Sequence, residues 1–285
     1  MERTLTRLLR ERDQRATVEP RSEARERRTT PTRARYLTDI TLRYPDAALQ
    51  AALNETRFLR DQTFQLVGKT LQPDLPEAQR LTPDAFETAY SLNVREVYND
   101  LLTQLPRIRT ELNLSPEQAE ALARLREAAK ELIEACKNTK HLLKHYWEGL
   151  HHGAPAVRQF YAGFASLIQT SVETLQRLSA LHDDEAFELE CDRLMVRLEE
   201  ADLFRSGQLD EAIAAGRVPR EWIAALTHDN HYVQALCRRL LFAVRTLHHV
   251  TSEGYSDTHD ALQLNAEDMD SLIDSSSTTS GKSSS

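Results

Sequence analysis

One uninterrupted pattern limits the fold more than anything else in this chain. It opens at Ser115-Pro116-Glu117-Gln118. Ser115 suits a helix cap, Pro116 the first helical position, where its missing N–H goes unused, and Gln118 can bond back to the cap, the layout of a capping box. Apolar residues then return at three- and four-residue steps to about Leu150, and Gly153 provides a stop. Such a helix runs roughly 50 Å at 1.5 Å per residue. Its apolar stripe needs other helices to cover it.

The rest of the chain supplies them. Pro45-Asp46 predicts a helix start, the apolar period continues through Leu53, Leu59, Phe64 and Leu71, and Pro73 predicts its stop. Thr82-Pro83-Asp84 opens a second helix, expected to end at Leu105 before Pro106. After the long third helix the order repeats: a fourth from Pro155 to Leu181, a fifth from Asp183 to about Ala214, and a sixth from Pro219 to about Val250. No run of alternating β-branched residues marks a strand. The sequence therefore predicts an all-α chain of two successive three-helix sets, over residues 36–153 and 154–250.

The two ends have a different composition. Residues 1–35 carry 11 Arg against 6 acids and read as a flexible basic arm. Residues 251–285 carry 7 acids against one Lys and end in a serine run, which reads as a disordered tail, since so polar a segment buries too little apolar area to offset its ordering entropy. Within the tail, Leu264, Met269, Leu272 and Ile273 form an amphipathic island that suits a docking peptide folding on its partner. A solvated tail with incidental apolar residues is the alternative.

Charge and apolar content exclude several functions. The net charge is −8 and the part between the ends is itself acidic, which argues against nucleic acid, whose phosphates require a continuous basic face. The basic arm suits peripheral contact with an anionic surface. The longest uncharged apolar stretches fall far short of the roughly 20 residues a membrane-spanning helix needs, and the N-terminus lacks the form of a secretory signal. Cys136, Cys191 and Cys237 are odd in number and far apart, and read as reduced thiols of a cytoplasmic protein. No Gly-rich phosphate loop, Cys-x-x-Cys or nucleophile elbow is present, so no enzyme activity is expected.

The segment Arg35-Tyr36-Leu37, followed by Pro45-Asp46-Ala47-Ala48-Leu49-Gln50-Ala51-Ala52-Leu53-Asn54-Glu55, resembles the lead-in to the PhoU-like cytoplasmic domain of bacterial sodium/phosphate cotransporters. The resemblance spans roughly residues 35–250 and lacks the membrane portion. It implies two tandem three-helix bundles and a regulatory role in sodium-dependent phosphate transport or phosphate homeostasis, exerted on a protein partner such as a transporter or phosphate-sensing component. It also implies divalent metal ions held by Glu/Asp-x-x-x-Asp signatures. The alternative is a helical scaffold or signalling adaptor unrelated to phosphate.

Two such carboxylate pairs stand on the middle helix of each set: Glu96 with Asp100, and Glu188 with Asp192. Four-residue spacing puts both members on one helix face. In a chain that is 28% charged, a solvated face explains the same pairs. On the third and sixth helices, where the family is acidic, this chain has Lys137-Asn138-Thr139-Lys140-His141 and His228-Asp229-Asn230-His231. His141 with His145, and His228 with His231, are spaced to chelate a transition metal from one face, although Lys140 and Lys144 oppose a cation. Surface or interhelical hydrogen bonding is the other use of these histidines. If each carboxylate pair faces the histidine pair of its own set, each set holds a mixed oxygen and nitrogen site.

Overall fold

The computed structural model of the protein describes residues 34–38 and 43–278, with side chains as far as Ser252. Its elements are α1 (Pro45–Thr70), α2 (Pro83–Tyr90), α3 (Glu96–Glu111), α4 (Pro116–His151), α5 (Pro155–Leu178), α6 (Asp184–Glu200), α7 (Gln208–Ala214) and α8 (Arg220–Thr278). Among the described residues there is no strand. The basic arm up to residue 33 lies outside them, as do the side chains of Leu264, Met269, Leu272 and Ile273.

Local chemistry sets most helix starts. The Thr82 hydroxyl accepts a bond from the Ala85 N–H, and the Asp183 carboxylate from the Ala186 N–H. At α4 both halves of the capping box form: the Gln118 N–H donates to Ser115 Oγ at 3.2 Å, and the Ser115 N–H to Gln118 Oε1 at 3.0 Å. Each such cap satisfies N–H groups that the first turn cannot pair internally.

Three boundaries differ from expectation. Pro106 does not end the second helix: α2 passes through a π-helical turn at Ser91–Arg95 into α3, which carries Pro106 inside it and continues to Glu111. Pro106 is exposed, so the ring meets solvent and the carbonyl it leaves unpaired can be hydrated. The fifth helix does not run unbroken to Ala214. It stops at Glu200, where the Asp202 carboxylate accepts from the Phe204 and Arg205 N–H groups, and the chain turns through Gly207 at φ 71° before α7. A left-handed φ is open to glycine at little cost. Finally, the backbone of α8 stays helical past the expected end at Val250.

The two sets share one buried apolar cluster. The most extensive helix contact joins α4 to α8. The pair runs antiparallel: His145 meets Asp229, His141 meets Tyr232, and Glu131 pairs with Arg239. Around this seam α1 packs on α4 and α5, with Tyr146 donating to the Leu71 carbonyl at 2.6 Å and Gln169 to the Gly68 carbonyl at 3.1 Å. All three cysteines are buried free thiols, and burial raises the Cys136 thiol to about 12.

Candidate functional site

The apolar stripe of α8 passes through Leu226, Val233 and Leu236, all fully buried, and Asp229 occupies the same stripe with 0% exposure. A carboxylate so placed needs donors. Tyr161 Oη on α5 donates to Asp229 Oδ2 at 2.5 Å, and His145 Nδ1 on α4 lies 3.3 Å from the same oxygen without forming an aligned hydrogen bond. The other oxygen, Oδ1, has no hydrogen-bond partner. Burial raises the Asp229 carboxyl above its ordinary value, opposed by the Tyr161 bond and the His145 charge. Burial and the neighbouring Asp229 push the Tyr161 phenol far above its usual range.

Tyr161 is fixed from every side. Its ring lies edge-on to Tyr146, Phe164 and Trp222. Its face lies on α4 at Gly149, where a Cβ would stand 2.2 Å from two ring carbons. Only glycine leaves room for that approach. The next residues of α8 hold other elements: Asn230 Oδ1 accepts from the Leu203 N–H, Asn230 Nδ2 donates to Asp202, and Gln234 donates to the Leu198 carbonyl. The Asp229–Gln234 stretch therefore organises α4, α5 and the end of α6 together.

Over this node lies a cavity of about 470 Å³, with His141, His145, Glu148, Trp222, His228 and Tyr232 in its lining. Its size falls within the range of small-molecule sites. His141 stacks on Tyr232 at 5.1 Å between centroids, and burial together with Lys144 and Lys140 lowers its pKa, favouring the neutral ring. His231 stands outside the lining, edge-on to Tyr232.

The structure thus gathers His141, His145 and His228 from both sets, and it keeps the carboxylate pairs away from them. Glu188 and Asp192 are clamped by Arg245: Nε donates to Glu188 at 2.8 Å, and Nη2 donates to Glu188 and, at 2.8 Å, to Asp192. His249 also lies 3.2 Å from Glu188. His228 lies about 25 Å before Arg245 along α8 at 1.5 Å per residue. In the first set, Glu87 bonds Lys140 beside His141, and Asp100 lies about 20 Å beyond Glu87 along the same helical run. Partly buried Glu96 falls between them, about 13 Å beyond Glu87. The mixed carboxylate and histidine sites are therefore not formed, because helices of the two sets meet through α4 and α8. Among the described residues no group of three or more His, Cys, Asp or Glu is arranged to hold a metal ion.

Asp100 instead accepts the Ala34 N–H at 2.9 Å, while Glu55 accepts the Arg35 and Tyr36 N–H groups at 2.7 and 2.8 Å. Glu55 is fully buried, and burial raises its carboxyl despite these bonds. The two acids form a latch that holds the lead-in segment. No protein family, characterised protein or solved structure matches the chain. Tyr161 and Gly149 carry no sequence signal, since one resembles any apolar-stripe residue and the other any tolerated helical glycine. Asp229 had one: it breaks the apolar stripe of a long helix.

Proposed function

We propose that the protein is a PhoU-like regulatory module of phosphate uptake or phosphate homeostasis, working in the cytoplasm by binding protein partners through its helix faces. The observation that supports this reading most is the latch. Glu55 closes the motif on which the resemblance rests, and it captures the N–H groups of Arg35 and Tyr36 from the motif's first half. The two halves of the motif are thereby parts of one interaction, and their co-occurrence has a physical reason. The division into two three-helix bundles belongs to the same proposal. Among the described residues no helix is long and apolar enough to cross a membrane, which suits a module that acts on a transporter or sensor from outside its membrane portion. Metal is not needed for this reading, because Arg245 already bridges Glu188 and Asp192.

The test is recovery of the full-length protein from its own cells at limiting and at abundant phosphate, with identification of what accompanies it. A phosphate transporter subunit or phosphate-sensing kinase whose recovery changes with phosphate supports the proposal. Partners unrelated to phosphate handling, recovered equally under both conditions, refute it. They would favour the adaptor reading, which has its own support: Leu189 and Val196, seven residues apart on α6, are 51% and 53% exposed. Two apolar side chains at that spacing share a helix face and offer a contact surface.

A further inference from the structure

We propose that the cleft bounded by α1, α5, α6 and α8 binds a small organic oxyanion, a phosphate or carboxylate group on an apolar body. The cavity measures about 380 Å³, at the lower end of the range for small-molecule sites. Arg57 and Arg60 line it from α1, His182 from the α5–α6 connection and His248 from α8, with no Asp or Glu in the lining. That concentration of cationic and N–H-bearing side chains stands against a chain of net charge −8. A guanidinium presents paired N–H donors in the fork that matches phosphate and carboxylate oxygens. Leu181, Phe187, Val244 and Leu247 complete the lining and fit an apolar body.

The cationic groups are held in place before any ligand arrives, which lowers the ordering entropy lost on binding. Arg57 Nη2 donates to Thr251 Oγ1 at 2.7 Å, and that hydroxyl donates to the Leu247 carbonyl. The guanidinium thus spans the gap between α1 and α8. Arg60 is only 12% exposed, and Arg57 stands one turn before it on the same face. Arg60 donates from Nε at 2.9 Å and Nη2 at 2.8 Å to Asp61, which is 53% exposed and adjacent on the helix, so the pair is weak and a ligand can displace it. The His248 ring stacks on Phe187 at 3.6 Å between centroids, while its Nε2 meets Asp184 at 2.7 Å. Asp184 also accepts from Ser252 Oγ, so this carboxylate beside the cleft is engaged with His248 and Ser252. A bound oxyanion would tie α1, from the first set, to α8, from the second. The inference is independent of any link to phosphate transport.

The experiment is calorimetric titration of the full-length protein with phenyl phosphate, benzoate and inorganic phosphate, at low ionic strength in a buffer free of other oxyanions. The expected result is saturable one-to-one binding of phenyl phosphate or benzoate, weakened about tenfold or more in Arg60→Gln and unchanged in Arg109→Gln, a variant on α3 remote from the cleft. Stronger binding of phenyl phosphate or benzoate than of inorganic phosphate supports an organic ligand with an apolar body. Arg57→Lys serves as a second variant that keeps the charge and loses the fork; it too should weaken binding if it melts like the wild type. No saturable binding of any of the three, or binding equal in wild type, Arg60→Gln and Arg57→Lys, overturns the proposal. Binding by inorganic phosphate alone overturns the apolar-body half of it.

Discussion

Replacing Gly149 with alanine is the sharpest test of the α4–α5–α8 node. A helical Gly→Ala change ordinarily stabilises by roughly 1 kcal/mol through propensity alone. Here the new Cβ would stand 2.2 Å from Cδ2 and Cε2 of Tyr161 and 2.7 Å from Cζ. The ring cannot retreat within its cage of Tyr146, Phe164 and Trp222. Either α4 and α5 move apart, an overpacking cost of about 1–3 kcal/mol, or the ring tilts and weakens its bond to Asp229. Hydrogen bonds to a charged group contribute about 1.5–3 kcal/mol. These are alternative routes for relief, so one is taken near its midpoint, about 2 kcal/mol. After the propensity gain, a net loss of about 1 kcal/mol remains. Urea denaturation followed by far-ultraviolet circular dichroism measures it, and Tm should fall by about 2–4 °C for each kcal/mol in a folded unit of 150–250 residues. Gly163, an exposed α5 glycine with nothing within 4 Å of its would-be Cβ, is the internal control. Gly163→Ala should stabilise by about 0.5–1 kcal/mol. If Gly149→Ala stabilises as much, the close approach of Tyr161 to α4 has been misjudged.

Other perturbations address the buried acids and the helix interruption. The raised carboxyls of Asp229 and Glu55 mean that the folded state binds protons more tightly than the unfolded chain, so stability should fall as pH rises through a window above their ordinary values of 3.8 and 4.5. Asp229→Asn keeps an acceptor for Tyr161 and should flatten the pH–stability profile there; an equally steep profile would assign the titration elsewhere. Glu55→Ala removes the acceptor of two backbone N–H groups and should sharply accelerate hydrogen exchange at the Arg35 and Tyr36 amides, leaving the amides of α4 protected. Pro106→Ala restores the missing N–H within α3 and should raise stability by about 1–3 kcal/mol in chemical denaturation. No gain would show that the surrounding helix has already adapted to the ring.

The sequence was most informative where structure depends on neighbours within a few residues. Helix starts at Pro45, Pro83, Pro116, Pro155 and Asp184 follow from a proline or capping side chain beside the first turn, and the capping box of Ser115 and Gln118 forms as expected. The break after Glu200 had local signals in Asp202 and Gly207 that the apolar period overrode, whereas its anchoring by Asn230, 28 positions from Asp202, was not legible. Pro106 misled because its effect depends on which side of the helix meets water. The histidines stood out as residue types, but their partners were set by the register of α4 against α8. A pattern of spacings along one helix contains no information about that register. The same limit hid Tyr161: its chemistry exists only because Gly149 and Asp229 come from helices that flank it in space.

The antiparallel seam also makes the order of synthesis matter. The α4 face that ends against α8 emerges early, whereas its covering partner lies some 100 residues later, a delay of about 5–20 s at usual elongation rates. Contacts such as Arg57 to Thr251 join positions 194 residues apart and cannot form until nearly all of the described chain exists. For that interval the apolar stripe of α4 is without its main cover. The nascent first set is therefore the species most exposed to aggregation and to chaperone capture, and faster folding of α1 to α4 alone would not shorten its exposure.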